Sequence, residues 1–193
     1  QDPLGTFIAN NPADMLEAQA AIAGPLLASQ SALILNNRTG EVLYQKNMNR
    51  VMPIASISKL MSAMVTLDAR LNMNEVITIT EDEIDRIKGT GSRLSIGTQL
   101  TRAQLLHLSL MSSENRATHA LGRTYPGGMA AFVAAMNAKA QSLGMADSRF
   151  YEPTGLDYRN VSTASDLSKM VAAAAKYPQI RSNSTSTYGS VYT

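Results

Sequence analysis

Cysteine and tryptophan are both absent from the 193 residues, and only 5% are aromatic. Without cysteine there is no disulfide, no thiolate metal ligand and no thiol nucleophile. Without many aromatic rings, alanine, leucine and the eleven methionines must supply most of the buried area, a composition that leans towards helix. No long apolar run exists either. The longest, Ala20 to Ala28, is broken by Gly24 and Pro25 and is far too short for a bilayer, which takes about 20 residues. No basic-then-apolar leader opens the chain. Charge of one sign is never concentrated: the net charge is +2, and Arg86, Lys88 and Arg93 are spread through a glycine-containing loop. That reads as a solvated surface and not as a nucleic-acid patch.

What is present is enough for a core, with 45% hydrophobic residues. Residues 1–30 read as an arm with one short helix near Ala13–Ala23, residues 31–181 as the domain, and 182–193 as a flexible Ser/Thr-rich tail. Ala32–Leu35 and Val42–Tyr44 are strand candidates joined by Asn36, Asn37, Thr39 and Gly40, a hairpin. After Pro53 a helix is expected from about Ser56 to Leu71, with Leu60, Met64, Leu67 and Leu71 as one apolar stripe. Val76–Thr80 alternates like a strand, and Glu81–Ile87 reads as a short helix. Thr101 to Gln104 has the form of a capping box, opening a helix to about Met111. Further helices are expected over Asn115–Gly122, Met129–Leu143 with Gly144 at its C′ position, and Thr163–Lys176. The fold class is α+β, with too little strand for the helical body, and a two-stranded hairpin alone is marginal in water.

Two short motifs carry chemistry. Ser56-Ile57-Ser58-Lys59 places a serine and a lysine three apart at a helix start, on one face. A serine hydroxyl needs an adjacent base. Lysine serves only when neutral, so a site must bring it from about 10.4 to near 7–8. Burial disfavours the ammonium, and a helix N-terminus repels it. The plain alternative is an N-cap serine beside a surface lysine. This Ser-x-x-Lys, however, is the only one in the chain and enters an apolar helix. The second motif, Ser113-Glu114-Asn115, is the only Ser-x-Asn triplet and lies between two helices. A hydroxyl can relay a proton, and a carboxamide can accept from an ammonium and donate to a carbonyl. Its plain alternative is a helix cap.

Ser-x-x-Lys followed by Ser-x-Asn resembles the signature order of penicillin-binding proteins and serine β-lactamases. The stretches from Thr39 to Tyr44, Pro53 to Met61, Leu110 to Ala117, Tyr125 to Gly128, Met136 to Ala140 and Glu152 to Leu156 resemble the low-molecular-weight D-alanyl-D-alanine peptidases, above all their endopeptidase branch. The resemblance runs from about residue 31 onwards. It implies a helical body against an antiparallel sheet and a bacterial periplasmic enzyme acting on peptidoglycan peptides. Ser56 would be acylated, Lys59 would activate it, Ser113 would carry the proton onward, and Asn115 would hold substrate and Lys59. The Ser56 N–H would form half of an oxyanion hole. β-Lactams would acylate the same serine. No cofactor, metal, nucleic acid or membrane span is implied.

The family's third motif, Lys-Thr-Gly, is missing. Arg38-Thr39-Gly40 precedes Ser56, and Lys88-Gly89-Thr90-Gly91 lies between the other two motifs. The chain is therefore expected to be a fragment truncated before the C-terminal sheet strands, with that segment or another chain covering the open edge. Two alternatives follow. A β-lactamase would need a glutamate to activate water, for which Glu152 is the candidate, although Asp157 stands where that class carries asparagine. A catalytically incomplete fragment would serve as a binding module. His107 and His119 read as packing or surface residues, Asp68 and Asp166 as ordinary helix acids, and Arg116 as a residue that orients the Ser113–Asn115 turn.

Overall fold

Nine successive residues, Ser58 to Thr66, are buried in one helix, and the rest of the chain is arranged around it. The computed structural model describes residues 32–36, 41–46, 51–85, 87–89 and 91–183. The expected arm and its helix near Ala13–Ala23, and the Arg38-Thr39-Gly40 turn, lie outside the described residues.

Strands β1 (Ala32–Asn36) and β2 (Glu41–Lys46) form the expected antiparallel hairpin, with a register irregularity between Ile34 and Leu35. Two pairs were not foreseen. β3 (Met52–Pro53) pairs with the later β6 (Val161–Ser162), and β4 (Val76–Thr78) pairs antiparallel with β5 (Gln99–Thr101). The described strands thus form three separate two-stranded pieces.

Helix α1 (Ser58–Asp68) begins two residues later than its expected start, because Ala55–Ile57 is a turn of 3-10 helix. It also stops short of Leu71: Arg70 takes a left-handed φ of 52°, which ends the ladder. The expected single stripe understates its burial. A helix surrounded by others buries every face, and α1 packs against α2 (Arg102–Ser112), α3 (Asn115–Arg123), α4 (Gly128–Ser142) and α5 (Ala164–Ala174). Leu60, Met61 and Met64 meet Leu105, Leu110, Leu121, Phe132, Met136 and Met170 in one core. Methionine supplies the filler the aromatic-poor composition demanded.

The helix ends follow local chemistry. Thr101 and Gln104 close a capping box on α2, and Thr163 caps α5 by accepting from Asp166 N. Gly144 follows α4 with φ +79°. Gly122 does not end α3 as expected but lies inside it, where α4 approaches: a Cβ there would stand 2.8 Å from Met129 Sδ, the flexible end of an α4 side chain. The expected helix over Glu81–Ile87 is reduced to a 3-10 turn, Glu81–Glu83, held by its own capping box from Thr80.

Candidate active site

The site is built on the entry to α1. Pro53 and Ile54 leave the β3–β6 pair, Ala55 adopts a left-handed φ of 47°, and the chain then winds into the 3-10 turn that carries Ser56. A left-handed non-glycine residue is strained by roughly 1–3 kcal/mol and persists only where its surroundings hold it. Those surroundings are the loop 151–160. Gly155, at φ +88°, lies so close that a Cβ would stand 1.8 Å from Ala55 O. Only glycine fits, for both reasons.

One turn further on, Lys59 is fully buried. Its Nζ lies 3.3 Å from Ser56 Oγ and donates to Thr154 O at 3.1 Å. Burial of this kind disfavours the ammonium form. Ser56 is only partly covered.

The expected Ser113 and Asn115 sit at the α2–α3 turn. Ser113 ends α2 in the left-handed conformation, φ 50°. The cap of α3 is neither of them but Glu114, whose carboxylate accepts from Arg116 N at 3.0 Å. Ser113 Oγ and Asn115 Oδ1 are buried without a hydrogen-bond partner among the described residues. Buried polar atoms are rarely left so, and those that are call for a reason. The turn is held by its neighbours: Ser92 Oγ donates to Glu114 at 2.5 Å, and Arg116 Nη1 donates to Leu94 O at 2.7 Å. Arg116 thus ties the turn to the segment at Leu94. Asn115 lines a cavity of about 220 Å³ with Glu152, Pro153, Thr154 and Leu156, so it shares a recess with the residue whose carbonyl holds Lys59. With Ser113 it also lines a second recess of about 660 Å³ beside Ser92 and Arg93.

Glu152 does not have the setting of a water-activating carboxylate. It accepts from Thr154 N at 2.8 Å, from the Thr154 hydroxyl and from Gly155 N at 2.6 Å, and so holds its own loop. The sequence reading missed the partners of this loop. Asn160, fully buried, bonds to Tyr151, Glu152 and Ser58, and Ser62 Oγ donates to Pro153 O at 2.7 Å. A lone asparagine so far from Ser56 in sequence gave no signal.

The remaining singled-out residues have structural partners. His119 is a packing residue as expected, with a specific partner: its Nδ1 lies 3.0 Å from the buried Glu83 carboxylate, which Arg123 Nε also contacts at 2.6 Å. Burial pushes the Glu83 carboxyl up, but hydrogen bonds from His119, Arg123 and the Thr80 N–H outweigh it and bring the pKa down to about 2. Asp166 is buried and accepts from Asp147 N and Ser148 Oγ. Asp68 pairs with Lys139 at 2.9 Å and accepts from the Tyr177 hydroxyl. Both acids therefore link segments distant in sequence. His107 is exposed and contacts Asn183. Among the described residues no group of histidine, aspartate and glutamate could hold a metal, and no helix is long and apolar enough to cross a membrane.

Comparison with known proteins gives one consistent picture. The family profile described as D-alanyl-D-alanine carboxypeptidase, peptidase S11, matches residues 17–192. A D-alanyl-D-alanine endopeptidase of Pseudomonas aeruginosa is 52% identical over 159 residues, 82% of this chain and 51% of that protein. One of Escherichia coli is 49% identical over 168 residues, 87% of this chain and 54% of that protein. The chain thus spans about half the length of these curated relatives. Among solved structures it is similar to the Streptomyces DD-transpeptidase, with a TM-score of 0.70 at 29% identity, covering 77% of this chain and 61% of that one.

Proposed function

The chain belongs to the D-alanyl-D-alanine carboxypeptidase family, peptidase S11, and from that premise we propose that Ser56 is acylated by peptidoglycan peptides and by β-lactams, with Lys59 as its base. The observation that carries this is the buried Lys59 Nζ at 3.3 Å from Ser56 Oγ. As Oγ attacks the carbonyl carbon of the scissile amide, its proton passes to Lys59. The developing oxyanion takes a hydrogen bond from the Ser56 N–H at the start of the helical turn. Ser113 relays the proton from Lys59 to the departing amine nitrogen as the C–N bond breaks. Asn115 orients the substrate amide, which supplies the partner its buried Oδ1 otherwise lacks. Water then attacks the ester, regenerating Ser56. With a β-lactam the bond broken is the ring amide, and the same ester forms. The place of action on this reading is the periplasm, where the cross-linked substrate lies.

The substrate class is read from the relatives named endopeptidases: the bond cut is the D-alanyl cross-link between two peptidoglycan stems. The test is labelling with a fluorescent penicillin, followed by digestion of cross-linked muropeptide dimers. Labelling that Ser56→Ala abolishes, and conversion of dimers to monomers, are the expected results. No labelling of the wild-type chain would leave only the reading as a binding module. Sustained turnover of a chromogenic cephalosporin, in place of one stoichiometric burst, would turn the assignment to a β-lactamase. The held position of Glu152 speaks against that outcome.

A further inference from the structure

We propose that Asn160 is a positioning residue for the Ser56–Lys59 pair, acting through Ser58 and through the loop that carries Thr154. The inference rests on the acyl-enzyme reading above.

Asn160 is fully buried, and its carboxamide is in full use. Nδ2 donates to Ser58 Oγ at 3.2 Å and to Glu152 O at 2.8 Å. Oδ1 accepts from Tyr151 N at 2.7 Å and from Glu152 N at 3.3 Å. Its backbone carbonyl accepts from Ile54 N at 3.1 Å. Ile54 and Ser58 lie two residues before and two after Ser56. One side chain and its own carbonyl thus bracket the nucleophile turn on both sides, and the same carboxamide holds the head of the loop.

The loop transmits this grip to the base. From Glu152, its carboxylate holds Thr154 N and Gly155 N, which sets the Thr154 carbonyl 3.1 Å from Lys59 Nζ. A neutral amine has two N–H groups and one lone pair, and a carbonyl can only accept. Thr154 therefore commits one N–H of Lys59. That constrains the rotation of the amine, whose Nζ lies 3.3 Å from Ser56 Oγ. Without Asn160 the two held elements, turn and loop, lose their common fastener. A displacement of about 1 Å between reacting groups costs on the order of a hundredfold in rate.

A purely structural role would act differently. It would reduce the fraction of molecules able to react and leave the folded ones normal. The experiment therefore separates amplitude from rate in the full chain. Stopped-flow acylation by a fluorescent penicillin gives the labelled fraction, the non-covalent dissociation constant and the first-order acylation constant. For Asn160→Ala the acylation constant of the reacting fraction should fall about a hundredfold with the dissociation constant unchanged. For Ser58→Ala, which cuts only the link to α1, it should fall about tenfold. If Asn160→Ala does not fold, Ser58→Ala decides. A reduced labelled fraction that reacts at the wild-type rate overturns the proposal, as does a folded variant indistinguishable from wild type. Absence of labelling in the wild type fails the acyl-enzyme reading and this inference with it. Labelled wild type with indifferent variants removes only the role of Asn160.

Discussion

Gly155 and Gly144 both hold positive φ, at +88° and +79°, yet they stand in different surroundings. At Gly144 the nearest foreign atom to a Cβ is Lys169 Nζ at 3.8 Å, so alanine costs only the left-handed conformation, about 1 kcal/mol. At Gly155 the Cβ would meet a backbone carbonyl, which cannot move without moving Ser56. Gly155→Ala is expected to cost about 2–4 kcal/mol in denaturant unfolding and to abolish penicillin labelling, whereas Gly144→Ala leaves labelling intact. The same contrast explains what could be read beforehand. Ser56 and Lys59 are legible because they are three apart on one helical turn, and that spacing alone makes them neighbours. Ser113 and Asn115 are legible as a pair, but their burial without partners is not, since it depends on how α2 and α3 close over them. Asn160 is not legible at all. The role proposed for it comes from contacts with Ser58, 102 positions away, and with Ile54, further still.

Elements were legible where their ends carry their own chemistry. Thr101 and Gln104 announce α2, and the structure has both halves of that box: Gln104 N donates to Thr101 Oγ1 at 3.1 Å, and Thr101 N to Gln104 Oε1 at 2.8 Å. Thr101→Ala is expected to lower stability by about 1 kcal/mol in chemical denaturation, with the acylation rate unchanged, because the cap lies at the end of α2 away from Ser113. Strand β5 escaped notice because it is three residues long and ends on that same threonine. Only the partner β4 makes it a strand, and pairing between distant segments has no local signature. Likewise the start of α1 was placed at Ser56 by Pro53. The 3-10 turn that intervenes is imposed by Ala55, whose left-handed geometry depends on the loop against it.

Across the whole molecule, stability should fall steeply in acid. The Glu83 carboxyl is 3% exposed and held at about 2, below the ordinary 4.5. A carboxyl whose folded pKa is depressed contributes stability above its unfolded pKa. That contribution disappears as pH falls through 4.5 towards 2. The difference corresponds to about 3 kcal/mol. Glu83→Gln should therefore destabilise the protein at neutral pH by about that amount and flatten the pH dependence of its unfolding free energy between roughly pH 4.5 and 2. Calorimetric unfolding temperatures across that window would check it, and an unchanged slope would refute it. The α+β class was legible from the order of elements, a hairpin ahead of a mostly helical body. The encirclement of α1 was not, because a stripe read from one helix cannot reveal how many others press on it.

The fastening of the Ser56 turn to the loop 151–160 also sets a timetable. Segments separated by about a hundred residues meet late when a chain folds, since closing so long a loop costs entropy before any contact repays it. During synthesis Ser56 and Lys59 emerge early, but the carbonyl that aims the lysine and the glycine that fits beneath Ala55 emerge only after α4 has been made. A nascent chain therefore carries the reactive pair in sequence without having it in chemistry. On the proposed acyl-enzyme reading, such a chain would not react with penicillin until these fasteners are in place, so labelling would also report the folding of this loop.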